Sequence, residues 1–229
     1  MTSLSILMPA FNERATIEAA IADALAAELP VDTREVIVVD DGSTDGTREL
    51  LREREWPETV KLVFHDANSG KGEAVRTALA HAAGVYAAIL DADLEYRAAD
   101  LAPVLDPLLS GDARVVFGTR AWSAHTAYSF WYVVGNKAVT LAANVIYNCW
   151  ISDVMTCHKA MRTELFRSLD LRERGFAIEP EIAARVLRAG EQIYEVPISY
   201  RARSRAAGKK LTPLDGVRVL RTLIRCRIS

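Results

Sequence analysis

The amino-acid sequence predicts an α/β protein built around a mainly parallel β-sheet. Short apolar segments rich in β-branched residues recur through the first two-thirds of the chain, and helical patterns of roughly ten to fifteen residues separate them. Strands that alternate with helices in this way are joined by right-handed crossovers and pair in parallel. With 229 residues, half of them hydrophobic, the chain can bury a sizeable core. We therefore expect one α/β domain.

Five strands are predicted from apolar runs that are too short for buried helices. The second run, for example, is rich in β-branched residues and is ended by the polar segment 42–47. The predicted strands span residues 4–9, 35–41, 60–64, 85–90 and 113–118.

Helices are predicted between these strands. Ile17, Ile21 and Leu25 recur at a spacing of four residues and give the first helix one apolar face. The segment GSTDGT offers Ser, Thr and Asp as N-caps for the second helix. Residues 68–84 indicate a glycine-marked loop, an Ala-rich helix and a glycine stop, and residues 99–109 predict a shorter helix.

The loops that follow the five predicted strands are polar. In a parallel sheet, ligands bind outside the carboxyl ends of the strands, where these loops meet. A single Asp after a strand is commonly a turn residue or a helix cap. Five polar loops on one edge favour a shared ligand site instead. The loops are 9–13, 40–42, 68–72, the acidic set Asp91, Asp93 and Glu95, and 118–120.

The acidic set Asp91, Asp93 and Glu95 stands directly behind the fourth predicted strand. In an extended segment, side chains at every second position point the same way, so three carboxylates would repel one another unless a cation lay between them. Oxygen ligands without His or Cys favour Mg²⁺ or Mn²⁺, with open positions for the two phosphates of a nucleotide. The alternative is that Asp91 alone faces the site while the other two acids are solvated loop residues.

The neighbouring loops supply groups that suit a nucleotide. Asp41 and Glu13 can accept hydrogen bonds from a base or a ribose, and Lys71, between two glycines, can reach a phosphate. Two other nucleotide-binding motifs are missing from the sequence. No G-x-G-x-x-G follows the first strand, and NSGKGEA lacks the earlier glycine and the Ser or Thr of a P-loop. A dinucleotide oxidoreductase and a P-loop ATPase are therefore poor interpretations.

Cysteine and charge set further limits. The three cysteines form no C-x-x-C pair, which argues against a disulfide framework or a zinc site and favours a reducing cytoplasm. No signal-peptide pattern opens the sequence, and the four histidines show no ligand spacing.

The net charge is −2, yet residues 201–229 carry nine Lys and Arg against one acid, Asp215. That end suits phosphate or an anionic membrane, or is a solvated face; nucleic acid is not an expected partner.

Seven motifs together resemble the family-two glycosyltransferases of the GT-A fold. They are ILMPAFNE, VIVVDDGSTDGT, NSGKGEAVRTAL, LDADLEY, FGTR, SDVMTCHKAMR and YEVPISYRARSRAAGKK, in this order over nearly the whole chain. Within the family, the sequence is most similar to the polyprenyl-phosphate branch, the dolichyl-phosphate mannose synthase and glucosyltransferase type. The resemblance implies a three-layer sandwich with a Rossmann-like nucleotide-binding half and an acceptor-side half.

The resemblance also implies an inverting transfer of a hexose from a UDP- or GDP-sugar, with Mg²⁺ or Mn²⁺ held by the D-x-D motif. Asp91 and Asp93 form that motif here, and Glu95 corresponds to a further metal ligand. In the synthase branch, basic residues hold the acceptor phosphate, for which the candidates are Arg120, Arg201, Arg203 and Lys209. The positions that correspond to nucleotide-sugar contacts are Pro9, Phe11, Glu13, Val39, Asp41, Lys71, Asp91, Ala92 and Asp93.

The acceptor decides which further group the reaction needs. A phosphate monoester is already anionic at neutral pH, so it needs alignment by cations and no general base. A sugar hydroxyl would require a positioned carboxylate, for which Asp153 is the candidate. The alternative role of Asp153 is a loop residue that shapes the acceptor pocket. The resemblance to the synthase branch, together with the D-x-D set and the basic run, implies transfer to a polyprenyl, dolichyl-type phosphate.

Two other functions remain open at this point. The same donor chemistry could act on a soluble hydroxyl acceptor in natural-product or polysaccharide assembly. A non-catalytic nucleotide-binding module is the third interpretation, although such a module has no reason to retain three mutually repelling acids.

The expected organisation is a catalytic domain over 1–212 and a basic amphipathic helix over 213–229. This helix could dock on anionic lipid, or pack its apolar stripe on the domain or on a second subunit in a homodimer. We expect a cytoplasmic protein in peripheral contact with the inner face of the membrane. The apolar stripe is Val217, Leu220, Ile224 and Ile228, beside Arg218, Arg221 and Arg225.

The longest apolar stretch, 127–150, is interrupted by Gly135, Asn136, Lys137 and Asn144 and does not predict a membrane span. Its aromatic ends suit a helix at a lipid headgroup boundary. An ordinary core helix that covers the sheet is the alternative.

Overall fold

The computed structural model of the chain describes residues 1–120, 130–202 and 213–228. Within these residues lies a sheet of seven strands. The strands are β1 (Ser3–Ala10), β2 (Thr33–Asp40), β3 (Val60–Phe64), β4 (Tyr86–Ile89), β5 (Val115–Thr119), β6 (Lys159–Arg162) and β7 (Ile193–Pro197).

The strands lie in the order β3-β2-β1-β4-β6-β5-β7. Neighbouring strands are parallel except at β6, which runs antiparallel to both β4 and β5. The five predicted strands correspond to β1–β5, so the prediction of an α/β fold with a mainly parallel sheet is confirmed. Because only β6 is reversed, the carboxyl ends of β1–β5 meet at one edge.

The connecting helices cover both faces of this sheet. A short 3₁₀ turn, Ala98–Asp100, precedes the fourth helix. The helices are α1 (Ile17–Ala26), α2 (Thr47–Glu53), α3 (Lys71–His81), α4 (Leu101–Ser110), α5 (Phe130–Tyr147), α6 (Thr163–Ser168), α7 (Ile178–Arg188) and α8 (Pro213–Ile228).

Two hydrophobic clusters, one on each face of the sheet, make the protein a three-layer sandwich. Side chains alternate along β1, so Ile6 and Met8 lie in the first cluster and Leu7 lies in the second. Helices α1, α2 and α4 cover the first cluster, whereas α3, α5, α6, α7 and α8 cover the second. A parallel sheet that is buried on both faces is the usual arrangement in this fold class.

Helix α8 packs on the second cluster through Val219, Leu223 and Cys226, which are buried. Tyr147 of α5 donates a hydrogen bond from its hydroxyl to the carbonyl of Leu223 at 2.8 Å. The predicted apolar stripe, which includes Ile224, faces outward. The alternative in which that stripe packs on the domain is therefore wrong, because the opposite face of the helix fills the core.

Helix α5, which covers most of the long apolar stretch, is both a core helix and a surface helix. Val139 and Ala143 are buried in the second cluster, while Leu141 and Val145 are more than half exposed. Across the described residues, the structure contains no helix with both the length and the apolar character that crossing a bilayer requires.

Candidate active site

Four charged side chains with little or no exposure form an alternating chain at the carboxyl edge of the sheet. Asp91 follows β4, Lys71 opens α3, Glu179 lies in the first turn of α7 and Lys159 begins β6. The Lys71 ammonium lies 2.8 Å from carboxylate oxygens of both Asp91 and Glu179, and the Lys159 ammonium pairs with Glu179. Two positive and two negative charges therefore balance one another, as buried ions require.

The pKa values reflect this pairing. Burial alone would lower the pKa of Lys71 and raise that of Asp91, but their mutual attraction outweighs burial. The pKa of Lys71 therefore lies well above its ordinary value and that of Asp91 lies below. The Cys157 thiol lies 3.0 Å from the Lys71 ammonium, and burial followed by the Asp91 charge raises its pKa well above the ordinary value. At neutral pH, the two partners are charged and the thiol is neutral.

The predicted acidic set lies in a turn. Strand β4 ends at Ile89, and Leu94 has a left-handed φ of 60°. The Asp93 carboxylate accepts the backbone N–H of Glu95 at 3.0 Å, a hydrogen bond typical of turns. The prediction that the three carboxylates converge along an extended segment is therefore wrong. In this structure, the Lys71 ammonium pairs with the Asp91 carboxylate.

The chemistry of this turn still fits a hard divalent cation. The described residues contain no group of three His, Cys, Asp or Glu side chains arranged to hold a metal ion. Asp91 and Asp93 therefore remain the two carboxylates of the candidate site, because Glu95 accepts a hydrogen bond from the Tyr200 hydroxyl. The Oδ1 atom of Asp91 is buried, and its charged neighbour is the Lys71 ammonium at 2.8 Å. Such an oxygen suits Mg²⁺ or Mn²⁺, which complete their coordination with substrate phosphates and water.

Asp41 ties the loops after β2 and β3 together. Its carboxylate accepts the backbone N–H groups of Ser69 and Gly70 at 2.9 and 2.8 Å, and it contacts Nδ1 of His65 at 2.8 Å. The side chain is almost fully buried. Asp41 is thus positioned at the predicted nucleotide edge, but much of its hydrogen-bonding capacity is used to shape the loop.

The glycines beside Lys71 allow a close backbone approach, as expected, but the approaching group belongs to the protein. A Cβ on Gly70 would lie 2.4 Å from the carbonyl oxygen of Arg174, and one on Gly72 would lie 2.1 Å from that of Glu173. The N–H of Gly72 donates to the Arg174 carbonyl at 2.6 Å and so satisfies the start of α3. Lys71 itself points at carboxylates rather than at an open cradle.

The remaining predicted nucleotide contacts lie along the same edge. Pro9 of β1 and Val39 of β2 are register partners, and the Val39 side chain is buried in the second cluster. Phe11 is partly exposed just after β1, whereas Glu13 and Ala92 are buried. The structure therefore brings these residues to one edge, although not all of their side chains are open to a ligand.

Arg120, just after β5, forms a bidentate ion pair with Asp153. Its Nε and Nη2 atoms donate to the two carboxylate oxygens at 2.6 and 2.8 Å, and Asn136 of α5 donates to the same carboxylate at 3.2 Å. Burial would raise the pKa of Asp153, but the Arg120 charge outweighs burial and lowers it. Asp153 is therefore a weak base, and both of its oxygens already accept hydrogen bonds.

Tyr200 connects this ion pair to the acidic turn. Its hydroxyl donates to Glu95, and the Arg120 guanidinium lies over its ring, 4.9 Å from the centroid. The ring of Tyr96 packs against it at a centroid distance of 5.1 Å. The predicted third metal ligand and the predicted acceptor-binding arginine therefore contact the same tyrosine.

Arg201 is exposed, and its N–H donates to the carbonyl of Glu95 at 2.9 Å. Two of the four predicted acceptor-phosphate residues, Arg120 and Arg201, are thus adjacent to the acidic turn. Arg203 and Lys209 lie outside the described residues.

The site also contains four residues that were not predicted from the sequence: Glu179, Lys159, Tyr200 and Glu195. Glu195 accepts the backbone N–H of Asp153 at 3.3 Å and so supports its loop. The sequence around Glu179 indicates a buried acid, since Glu179 stands among apolar residues in FAIEPEIAARV. An acid on a buried helical face needs a charged or hydrogen-bonding partner. Nothing in the sequence specified which lysine that partner is.

A mainly parallel sheet with Asp91 and Asp93 in the turn at its carboxyl edge, and a sequence without a P-loop or a dinucleotide motif, agree with the expected class of nucleotide-sugar transferases. The family model described as "Glycosyl transferase family 2" matches residues 5–170, and the chain belongs to this family. It is a glycosyltransferase that takes its sugar from a nucleotide sugar. The predicted family is thereby confirmed.

Two relatives from Haloferax volcanii support this assignment. The chain is 33% identical over 216 residues to glycosyltransferase AglJ of Haloferax volcanii. This match covers 93% of this chain and 68% of the relative. It is 28% identical over 225 residues to Agl6 of the same organism, a low-salt glycan biosynthesis hexosyltransferase, covering 97% of this chain and 53% of the relative. The chain thus spans about half of the second relative.

Solved structures of similar fold include glucosyl-3-phosphoglycerate synthase from Mycobacterium tuberculosis. Its complex with Mn²⁺, UDP and glucosyl-3-phosphoglycerate has a TM-score of 0.72 and 23% identity, covering 98% of this chain and 80% of that one. Its complex with phosphoglyceric acid has a TM-score of 0.73 and 21% identity, with the same coverage. These likenesses confirm the GT-A fold.

Proposed function

We propose that the protein transfers a hexose, with inversion, from a UDP- or GDP-hexose to a polyprenyl phosphate, in a divalent-cation-dependent reaction at a membrane surface. The observation that carries this proposal is the bidentate Arg120–Asp153 ion pair. In this pair, Arg120 provides a cation on the acceptor side, and Asp153, the candidate general base, already accepts hydrogen bonds from Arg120. A phosphate acceptor suits that arrangement, because it needs electrostatic alignment and no deprotonation.

On the donor side, breaking the anomeric bond leaves negative charge on the departing diphosphate. Asp91 and Asp93 are the residues that would hold Mg²⁺ or Mn²⁺, and the bound ion would stabilise that charge. A protein of similar fold binds Mn²⁺ together with UDP, which supports this role. Asp41 contributes by holding the loops around the nucleotide edge through its backbone hydrogen bonds.

On the acceptor side, an anionic phosphate oxygen attacks the anomeric carbon from the face opposite the diphosphate. The two phosphate-bearing substrates repel each other, and Arg120 and Arg201 offset this repulsion. Asp153 and the ring of Tyr200 hold the Arg120 guanidinium in one orientation, and Asn136 donates a hydrogen bond to Asp153. The basic run continues in sequence with Arg203 and Lys209.

The surface of α5 and α8 favours a lipid-linked acceptor. Both helices pack on the same core cluster, and each leaves an apolar stripe on its outer face, exemplified by Val145 and Ile224. Arg221 and Arg225 lie exposed on α8 next to its stripe. An apolar helical face beside cationic side chains is typical of helices that bind anionic lipid surfaces.

The acceptor proposal is tested by offering a polyprenyl phosphate and the matching polyprenol, with UDP- and GDP-hexoses and Mn²⁺. We expect glycosylated product from the phosphate alone and loss of product with EDTA. Arg120→Met should lower turnover on the phosphate by at least about tenfold, since charge-assisted alignment is lost. The control is Arg114→Met, because that arginine is exposed and pairs with Glu191 at the opposite end of β5. Transfer to the polyprenol or to a soluble sugar would contradict the proposal and support a hydroxyl acceptor.

A further inference from the structure

One ammonium group in the candidate site is shared by two carboxylates. Nζ of Lys71 donates a hydrogen bond to Asp91 Oδ2 at 2.8 Å. It also lies 2.8 Å from two buried oxygens, Asp91 Oδ1 and Glu179 Oε1. A further contact joins Nζ to the sulfur of Cys157 at 3.0 Å. The ammonium therefore has two anionic partners: Asp91 in the D-x-D turn, which accepts its hydrogen bond, and Glu179 on α7, which forms an ion pair with it at the same distance.

The two carboxylates differ in their other partners. Glu179 also pairs with Lys159, which is fully buried and donates to the backbone carbonyl of Val154 at 3.4 Å. Asp91, among the ion pairs of the described residues, has Lys71 as its cationic partner. The charge of Glu179 is thus compensated even without Lys71, whereas that of Asp91 is not.

We infer that Lys71 is a resident counter-ion that competes with the divalent cation for Asp91, and that Glu179 is a positioning residue that draws Lys71 away. The inference rests on the proposed cation requirement. An ammonium and a divalent cation on the same carboxylate repel each other, so cation binding favours pairing of Lys71 with Glu179. The flexible side chain of lysine, with three rotatable donors, makes this exchange a small movement because the Glu179 contact already exists.

Competition predicts shifts of opposite sign for two substitutions. Lys71→Met removes the competitor and should tighten Mn²⁺ binding by about tenfold, which corresponds to about 1.4 kcal/mol. Glu179→Gln removes the second partner, leaves Lys71 to Asp91 alone and should weaken Mn²⁺ binding by at least about threefold. A charge chain that only stabilises the fold predicts lower stability in both variants, since each leaves a buried charge unpaired, and no opposite shifts in the dissociation constant of Mn²⁺.

The experiment is a titration of the purified protein with Mn²⁺, in which electron paramagnetic resonance measures free Mn²⁺ with and without UDP. Thermal unfolding of each variant establishes that it is folded. The matched control is Lys61→Met, since the Lys61 ammonium pairs with Glu35 at 2.6 Å on β2 and β3, away from the acidic turn. This control should leave the dissociation constant of Mn²⁺ unchanged.

Opposite shifts in Lys71→Met and Glu179→Gln support the inference, and shifts of the same sign or no shift overturn it. If Lys71→Met does not fold, the inference is tested with Glu179→Gln and the conservative variant Glu179→Asp. We then expect weaker Mn²⁺ binding by Glu179→Gln and affinity closer to that of wild type for Glu179→Asp. Wild-type protein that binds no Mn²⁺ even with UDP would refute the cation requirement itself. That outcome differs from wild-type binding without the opposite shifts, which refutes only the role of Lys71 and Glu179.

Discussion

The Arg120–Asp153 ion pair can be dissected by a double-mutant cycle with Arg120→Met, Asp153→Asn and the double variant. A bidentate pair places the two charge centres about 4 Å apart, which gives an attraction of about 4 kcal/mol at an effective dielectric constant of about 20. Both side chains are largely buried. Each single variant should therefore lose about 3–5 kcal/mol of unfolding free energy, because it leaves the other charge uncompensated.

The double variant should lose less than the sum of the two single losses, by an amount equal to the coupling energy. Contacting residues typically show coupling energies of up to about 3 kcal/mol, and we expect a value of about 2–3 kcal/mol here. The assay is urea unfolding at pH 7, followed by circular dichroism. Arg114→Met breaks an exposed pair with Glu191 and should cost less than about 1 kcal/mol.

Additive losses, within about 0.5 kcal/mol, would refute this reasoning. They would mean that Asp153 and Arg120 do not hold each other in solution. Asp153 would then be free to act as a general base, and a hydroxyl acceptor would regain support.

Two further predictions concern packing and the outer surface. Gly72→Ala should lower the melting temperature, because its Cβ would lie 2.1 Å from the carbonyl oxygen of Glu173, and this clash outweighs the helix preference of alanine of up to about 1 kcal/mol. The control Gly175→Ala, which has open space around its Cβ, should leave the melting temperature unchanged. A Gly72→Ala protein as stable as wild type would contradict the close approach of the two backbones. Ile224→Glu should reduce co-sedimentation with phosphatidylglycerol vesicles without loss of stability, whereas Val85→Glu, a similarly exposed position on another surface, should not. A dimer that Ile224→Glu dissociates, without any vesicle binding in the wild type, would instead assign this surface to a homodimer.

The local parts of the site were accessible from the sequence. A strand followed by a polar loop places its residues at a predictable edge, so the amino-acid pattern is enough to assign Asp41, Asp91 and Arg120 to one edge. The turn at Asp93 was harder to predict. Alternating acids suit an extended segment as well as a turn, and the left-handed Leu94 decides between them only in the folded chain.

The partners of the charged residues could not be predicted in the same way. Lys71 and Glu179 are distant in sequence and meet because α3 and α7 pack on the same face of the sheet. The outward orientation of the apolar stripe on α8 could not be predicted from the sequence for a related reason. Periodicity shows that a helix has an apolar face, but not which of two faces the core selects.

The sequence by itself determined the fold class, the family and the edge at which the site forms, because these depend on periodicity and on motifs that are local in the chain. Tertiary structure decided which charge compensates which. Asp91 pairs with Lys71, and Asp153 pairs with Arg120, because a charge removed from water must find an opposite charge wherever packing brings one. That choice depends on residues far apart along the chain, which local patterns do not encode.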